Sequence, residues 1–160
     1  MISDYNILNI YLILLNRNPS KDEILKYRNS TIKDIKSQIQ ESIEFKDLKT
    51  QNIVKLKEGL GKILKCGNPK FNYDKILKIL VSYNYNFNIF YCEFQKIVNN
   101  IQNKYESYYS THLHIKKQIN SKDLVEIINN NYDIEFYIPT SQDYIDECRK
   151  KITDLTFRIN

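Results

Sequence analysis

From Phe90 onward the side chains Phe90, Phe94, Ile97, Ile101, Tyr105, Tyr108, His112, Ile115 and Ile119 recur at steps of three and four residues. Residues at such steps share one face of a helix, so the spacing predicts a single helix from Phe87 to Ile119, about 30 residues and ~45 Å long at 1.5 Å per residue. That is longer than a small domain needs for a routine element. Such a helix either spans the molecule or meets another chain, which makes Ile101, Tyr105, Tyr108 and His112 candidate interaction residues.

Shorter periodic stretches flank it. Ile7, Leu8, Tyr11, Leu12, Leu14 and Leu15 follow Ser3 and Asp4, whose side-chain oxygens can accept the free amide hydrogens of a first turn; this helix is expected to end near Asn16, before Pro19. Ser20 and Glu23 have the spacing of a capping box and open a short helix through Ile24, Leu25 and Tyr27. Thr31, with Asp34, caps a third helix that places Ile32, Ile35, Ile39 and Ile43 on one face. A fourth is expected from about Asp47 to Lys65, with Leu48, Val54, Leu56, Leu60, Ile63 and Leu64 inward and Lys55, Lys57, Lys62 and Lys65 outward. Gly59 and Gly61 each weaken that helix by ~1 kcal/mol relative to alanine.

After a turn at Cys66-Gly67-Asn68-Pro69, Tyr73 to Tyr83 reads as a helix, and beyond the long helix Ser121 caps another through Leu124, Val125, Ile127 and Ile128, with Asn129 to Tyr132 as its stop. Ile134, Phe136 and Ile138 alternate as a short strand ending at Pro139, and a last helix from Ser141 turns Ile145, Cys148, Ile152 and Leu155 inward. The expected fold is mainly α. An N-terminal module of three to four helices covers residues 1–65, and a helical region over 66–160 holds the long central helix, C-terminal helices and at most a short strand near 133–138.

Ile, Asn, Lys, Tyr and Phe fill more than half of the 160 residues, and alanine is absent, a bias toward A/T-rich codons. Ile, Leu, Val and Phe supply near a third of the chain, which excludes the apolar-poor composition of disorder. Cys66, Cys92 and Cys148 are odd in number, lack a C-x-x-C pair, and read as buried thiols in a reduced compartment. No window approaches the ~20 apolar residues of a membrane span. Asp4 and Asn9 interrupt any signal-peptide pattern, so the chain is expected in the cytoplasm or a virion and not secreted.

The formal charge of +5 is unevenly placed: residues 51–80 carry seven basic and two acidic side chains, whereas residues 121–160 carry five and eight. Lys55, Lys57, Lys62, Lys65, Lys70, Lys75 and Lys78 can follow a phosphate backbone, with Tyr83, Tyr85 and Phe87 stacking on bases. Arginine is scarce, however, and no signature of a nucleic-acid-binding module accompanies them.

Motifs for catalysis fail on inspection. Glu58-Gly-Leu-Gly-Lys62 lacks the earlier glycine and the following Ser or Thr of a phosphate loop, those places holding Leu56 and Ile63, and Leu64 stands where a dinucleotide fingerprint needs its third glycine. His112 and His114 point about 200° apart on a helix, which disfavours a metal pair. The carboxylates Asp143, Asp146 and Glu147, or Glu41 and Glu44, read as solvated helix faces. No metal, cofactor or catalytic residue is expected.

The segment Tyr11-Leu-Ile-Leu-Leu15-Asn-Arg17-Asn-Pro19, followed by Ser42-Ile-Glu44-Phe45, resembles a short helical family of unknown function marked by Y-x-x-L-L-x-R-x-P and S-x-E-F. The resemblance covers residues 5–48; Asn16 stands at the family's glycine and Arg28 at its tryptophan. Related modules occur beside bacterial surface and glycan-processing domains and in large A/T-rich DNA viruses, and phycobilisome linkers share the helical pattern. The resemblance implies scaffold roles for Tyr11, Leu15, Arg17, Pro19, Ser42, Glu44 and Phe45, and no catalytic residue. Arg17, at the end of the first helix, is expected to bond to carbonyls there and pair with Glu44.

Together these readings give the expectation of a non-enzymatic structural or protein-interaction module, a minor capsid-associated or scaffold component of a large A/T-rich DNA virus. Its partners would be other proteins, a second copy included, contacted through the long helix and the basic residues Lys55, Lys62, Lys65 and Lys75. The alternative is a basic accessory protein associated with nucleic acid.

Overall fold

The computed structural model describes residues 1–138, 142, 143, 145, 146 and 148–152. Of the described residues 74% are helical and none forms a strand, which makes this a mainly α protein. Seven helices follow in order: α1 (Asp4–Leu15), α2 (Lys21–Tyr27), α3 (Ile32–Glu41), α4 (Ile43–Leu64), α5 (Tyr73–Ser82), α6 (Phe87–Leu113) and α7 (Ser121–Tyr132). Gln142, Asp143, Ile145, Asp146 and 148–152 are also helical. The chain forms two compact units, Met1–Leu56 and Lys57–Asn160, so the division falls inside α4, and the Cys66–Pro69 turn lies within the second unit.

In the first unit the start of each early helix is fixed by a side chain that replaces a missing backbone acceptor. Ser3 accepts from the Asn6 amide, Thr31 from that of Asp34, and Ser20 and Glu23 complete the reciprocal capping box. α1 packs on α2 and α3. Ile7, Ile10, Tyr11, Leu14 and Leu15 of α1 are buried with Tyr27, Ile35, Ile39, Phe45 and Leu56. Three inward assignments fail, because Ile32, Ile43 and Val54 are 44%, 78% and 60% exposed. For Ile43 the reason is the boundary after α3: Ser42 is extended (φ −69°, ψ 152°), α4 starts at Ile43 rather than near Asp47, and the break rotates Ile43 out of register with Ile39.

The second unit is built on α6, which packs against α5 and α7. Phe90, Phe94 and Val98 are buried with Ile76, Leu80, Leu124, Ile128 and Phe136, and the Phe94 ring lies 5.5 Å from that of Phe136. The expected strand reduces to one antiparallel bridge, Lys70 to Tyr137, with both hydrogen bonds at 2.7 Å. Glu135 has a left-handed φ of 57°, which prevents a regular ladder, yet Ile134 and Phe136 are buried and Glu135 and Tyr137 exposed as the alternation predicts. The Asn129 side chain supplies the missing partner, donating to the Phe136 carbonyl and accepting its N–H, both at 2.7 Å. Asn120, rather than Ser121, caps α7. Ile145 and Ile152 are exposed, correcting the inward assignment of the last helix, while Pro139, Ser141 and Leu155 lie outside the described residues.

α6 ends at Leu113, six residues before the apolar repeat does. His114 takes a left-handed conformation (φ 53°, ψ 33°), and its N–H and that of Ile115 both bond to the Tyr109 carbonyl. Ile115 is exposed, and Ile119 reaches the core from outside the helix. Gly59 and Gly61 are not simple weak points of α4. A Cβ on Gly59 would run into the Tyr91 ring, and one on Gly61 would lie 2.8 Å from the Gly67 carbonyl oxygen.

Two substitutions test this reading in opposite directions. Gly61→Ala gains helix propensity of ~1 kcal/mol but collides with backbone, and overpacking costs ~1–3 kcal/mol, so its melting temperature should fall. His114→Gly removes left-handed strain of roughly 1 kcal/mol at an exposed position and should raise it. Thermal unfolding followed by circular dichroism decides both; a stabilised Gly61→Ala would show that the close approach to Gly67 does not exist.

Candidate functional site

The residues of the N-terminal motif converge on Arg17, which follows the left-handed Asn16 cap of α1. Its Nε and Nη2 donate to the two Glu44 oxygens at 2.6 and 2.9 Å, and its Nη1 and Nη2 donate to the two Glu23 oxygens at 2.8 and 2.9 Å. Nη1 also donates to the Asn18 carbonyl at 3.1 Å. The expected pairing with Glu44 is present, but the carbonyl is that of Asn18 beyond α1, and a second carboxylate, Glu23, was assigned only to the capping box. Tyr11 joins through its hydroxyl, which bonds to Glu23, and through its ring, 5.1 Å from the guanidinium carbon.

Charge pairing sets the ionisation of this cluster. Hydrogen bonds from Arg17 hold Glu23 down to about 2 and Glu44 below its ordinary range, while burial and then Glu23 push the Tyr11 phenol up. Ser42 serves two helices: its hydroxyl donates to the Ile39 carbonyl at 2.6 Å and accepts the Phe45 amide at 3.2 Å. That cap orients the first turn of α4, where Glu44 meets Arg17 and Phe45 is buried. Leu15 is buried and Pro19 half-buried between α1 and α2. Arg28 pairs with Asp4 at 3.4 Å.

The candidate contact residues divide differently. Lys75 is half-buried and bonds to Asp133 at 2.7 Å and Glu135 at 2.5 Å, so it closes the loop after α7 and does not offer a free positive charge. Lys62 is exposed beside Glu58 at 3.7 Å, Lys65 is exposed at the end of α4, and Lys55, also exposed, belongs to the first unit. Tyr85 is half-buried, and burial pushes its phenol up. On α6 the repeat passes from core to solvent: Ile101 and Tyr105 are half-buried, Tyr108 is 54% exposed, and His112 is exposed with Nδ1 bonded to the Tyr108 carbonyl at 3.1 Å.

No group of three or more His, Cys, Asp or Glu among the described residues is placed to hold a metal ion, and none of the described helices is long and apolar enough to cross a membrane. Cys92 is exposed and Cys66 and Cys148 are half-buried, so none is the buried thiol expected; burial pushes the Cys66 thiol up. Of the carboxylates weighed for catalysis, Glu44 is held by Arg17, Asp143 accepts from the Tyr137 hydroxyl, Asp146 accepts from Gln142, and Glu147 lies outside the described residues. An apolar cavity of about 510 Å³ beside α7 is lined by Val125, Asn129, Phe136 and Ile138. No protein-family model matches the chain, and no curated protein or solved structure is detectably similar to it.

The cluster predicts a pH response. Glu23 titrates near 2 when folded against 4.5 ordinarily, so its contribution is complete above about pH 4.5 and is lost as pH falls through about 2. Arg17→Met should destabilise the protein by about 1–2 kcal/mol near neutral pH, the solvent access of Glu44 keeping the figure small. The gap between wild type and variant should narrow in thermal melts run down to pH ~2 as both carboxylates protonate. A gap that stays constant would show that the cluster is not linked to folding.

Proposed function

We propose that this chain is a non-enzymatic helical module that works by protein contact, and that its first partner is a second copy of itself. The observation that carries the reading is α1. Apart from Asp4, Asn6 and Asn9 its residues are apolar or aromatic, and large apolar groups left on an outer side favour a contact surface. α1 buries Ile7, Ile10, Tyr11, Leu14 and Leu15 on one side, yet leaves Tyr5, Leu12 and Ile13 at 68%, 39% and 41% exposure on the other. Asp4 is the only charged residue from Met1 to Asn16. An uncharged, largely apolar face can meet its own copy across a two-fold axis without repulsion, and covering what remains exposed of each large side chain contributes a part of the ~1.5–3 kcal/mol that full burial is worth.

The A/T-rich codon bias and the resemblance over residues 5–48 support the narrower proposal of a minor capsid-associated or scaffold component of a large A/T-rich DNA virus, placed in cytoplasm or virion. The alternative of a nucleic-acid accessory protein draws little from the basic segment around Lys62, because Lys75 is engaged within the fold and Tyr85 is half-buried.

Light scattering on size-exclusion fractions should find the wild type as an oligomer and a Tyr5→Glu, Leu12→Glu variant as a monomer with unchanged helicity. A wild type that stays monomeric at every concentration, or a variant that still assembles, defeats self-association through α1.

A further inference from the structure

We infer that the exposed C-terminal end of α6 is a binding site for single-stranded nucleic acid, independent of the α1 contact surface. Four aromatic rings lie there at helical spacing: Tyr105, Tyr108, Tyr109 and His112. Tyr105 and Tyr109 are 4.7 Å apart between ring centroids, and Tyr108 and His112 are 4.6 Å apart and near parallel at 26°. This second pair faces solvent. Planar rings stacked in water offer a further base the same contact they make with each other, and each such stack contributes about 1–3 kcal/mol.

Cations outnumber carboxylates around these rings, although Glu106 lies on the same helix and Asp123 acts on the Tyr109 phenol. Between Ile97 and Asn120 the chain carries Lys104, Lys116 and Lys117 against a single carboxylate, Glu106. Lys104 precedes Tyr108 by one helical turn in sequence, and the Lys117 ammonium sits 4.7 Å from the centroid of the neighbouring Tyr109 ring. Lys116 and Lys117 also line a polar groove of about 660 Å³ with Asn103, Ser107, Ser110 and Gln118, which supply donors for phosphate oxygens and base edges, and with the carboxylate of Glu106, which repels phosphate. Against the three lysines stand Glu106, Asp123 and roughly half a negative charge at the carbonyl end of α6, which leaves a small positive excess.

Cations alone would suit any polyanion. The exposed Tyr108–His112 stack favours nucleic acid over an acidic peptide, because a peptide of Asp and Glu has no flat face to lay on it. A single strand fits better than a duplex, whose bases already stack on one another.

The test is fluorescence anisotropy with labelled oligothymidylate and oligouridylate of about 16 nucleotides, a duplex of equal length and polyglutamate as competitor. Wild type should bind a single strand more tightly than the duplex and lose affinity steeply between about 50 and about 200 mM salt. Whichever strand binds tighter identifies DNA or RNA as the source. Tyr108→Ala, His112→Ala should weaken binding about 10-fold or more with unchanged circular dichroism, and Lys104→Glu, Lys117→Glu should reduce the salt slope by ~1.4. Lys62→Glu, Lys78→Glu should leave both readings unchanged. Absence of binding at about 50 mM salt, an affinity untouched by removal of the rings, or equal binding of polyglutamate would overturn the assignment, the last pointing to an acidic protein instead.

Discussion

Arg17 carries five N–H donors in a rigid fork, and the structure gives each one an acceptor: two oxygens of Glu23, two of Glu44 and the carbonyl of Asn18. A lysine ammonium has three donors and no plane, so it could not hold two carboxylates face on. The remaining geometry of the first unit follows from this requirement. Pro19 lies between α1 and α2, the capping box that places Glu23 also bonds Glu23 to the Ser20 amide, and Ser42 breaks α3 so that Glu44 points back at the guanidinium. Three helix junctions that are separate in sequence become one electrostatic object.

Glycine scarcity shapes what happens at the other helix ends. With three glycines in the chain, the left-handed positions that end helices fall to Asn16, Lys65 and His114, and the turn after α5 to Asn84 and Tyr85. Asparagine tolerates this conformation; a lysine, histidine or tyrosine there costs roughly 1–2 kcal/mol. Gly59 and Gly61 are spent instead inside α4, where Tyr91 and the Gly67 carbonyl approach too closely for a Cβ. In this chain glycine is a packing residue, and helix termination is borne by side chains and by hydrogen bonds such as those converging on the Tyr109 carbonyl.

This division explains which parts of the fold were legible in the sequence. Helix starts announce themselves through Ser3, Ser20 and Thr31, whose hydroxyls cap whatever the tertiary context, and those three positions carry over directly. Helix ends without glycine do not: the apolar repeat runs on through Ile115 and Ile119 after the backbone has left the helix at His114. The Arg17 to Glu44 pair could be read from the motif, whereas Glu23 was hidden because one carboxylate serves the cap, Arg17 and Tyr11 together. Lys75 shows the reverse. Its place in a basic run suggested a free charge, and only the fold of the loop after α7 brings Asp133 and Glu135 to it.

The two surfaces proposed for contact differ in chemistry, and that difference keeps them separable. The outer side of α1 presents Tyr5, Leu12 and Ile13, and the charge of Arg17 just beyond the helix is taken up by Glu23 and Glu44, so association there should be driven by removal of apolar area from water and strengthen in salting-out conditions. The end of α6 presents Tyr108 and His112 between lysines, so its binding rests on counterion release and weakens as salt rises. One lies in the first compact unit and the other in the second. Ionic strength therefore acts on the two contacts in opposite directions, and a module built this way can hold a protein copy while releasing a nucleic-acid strand without any change in its own fold.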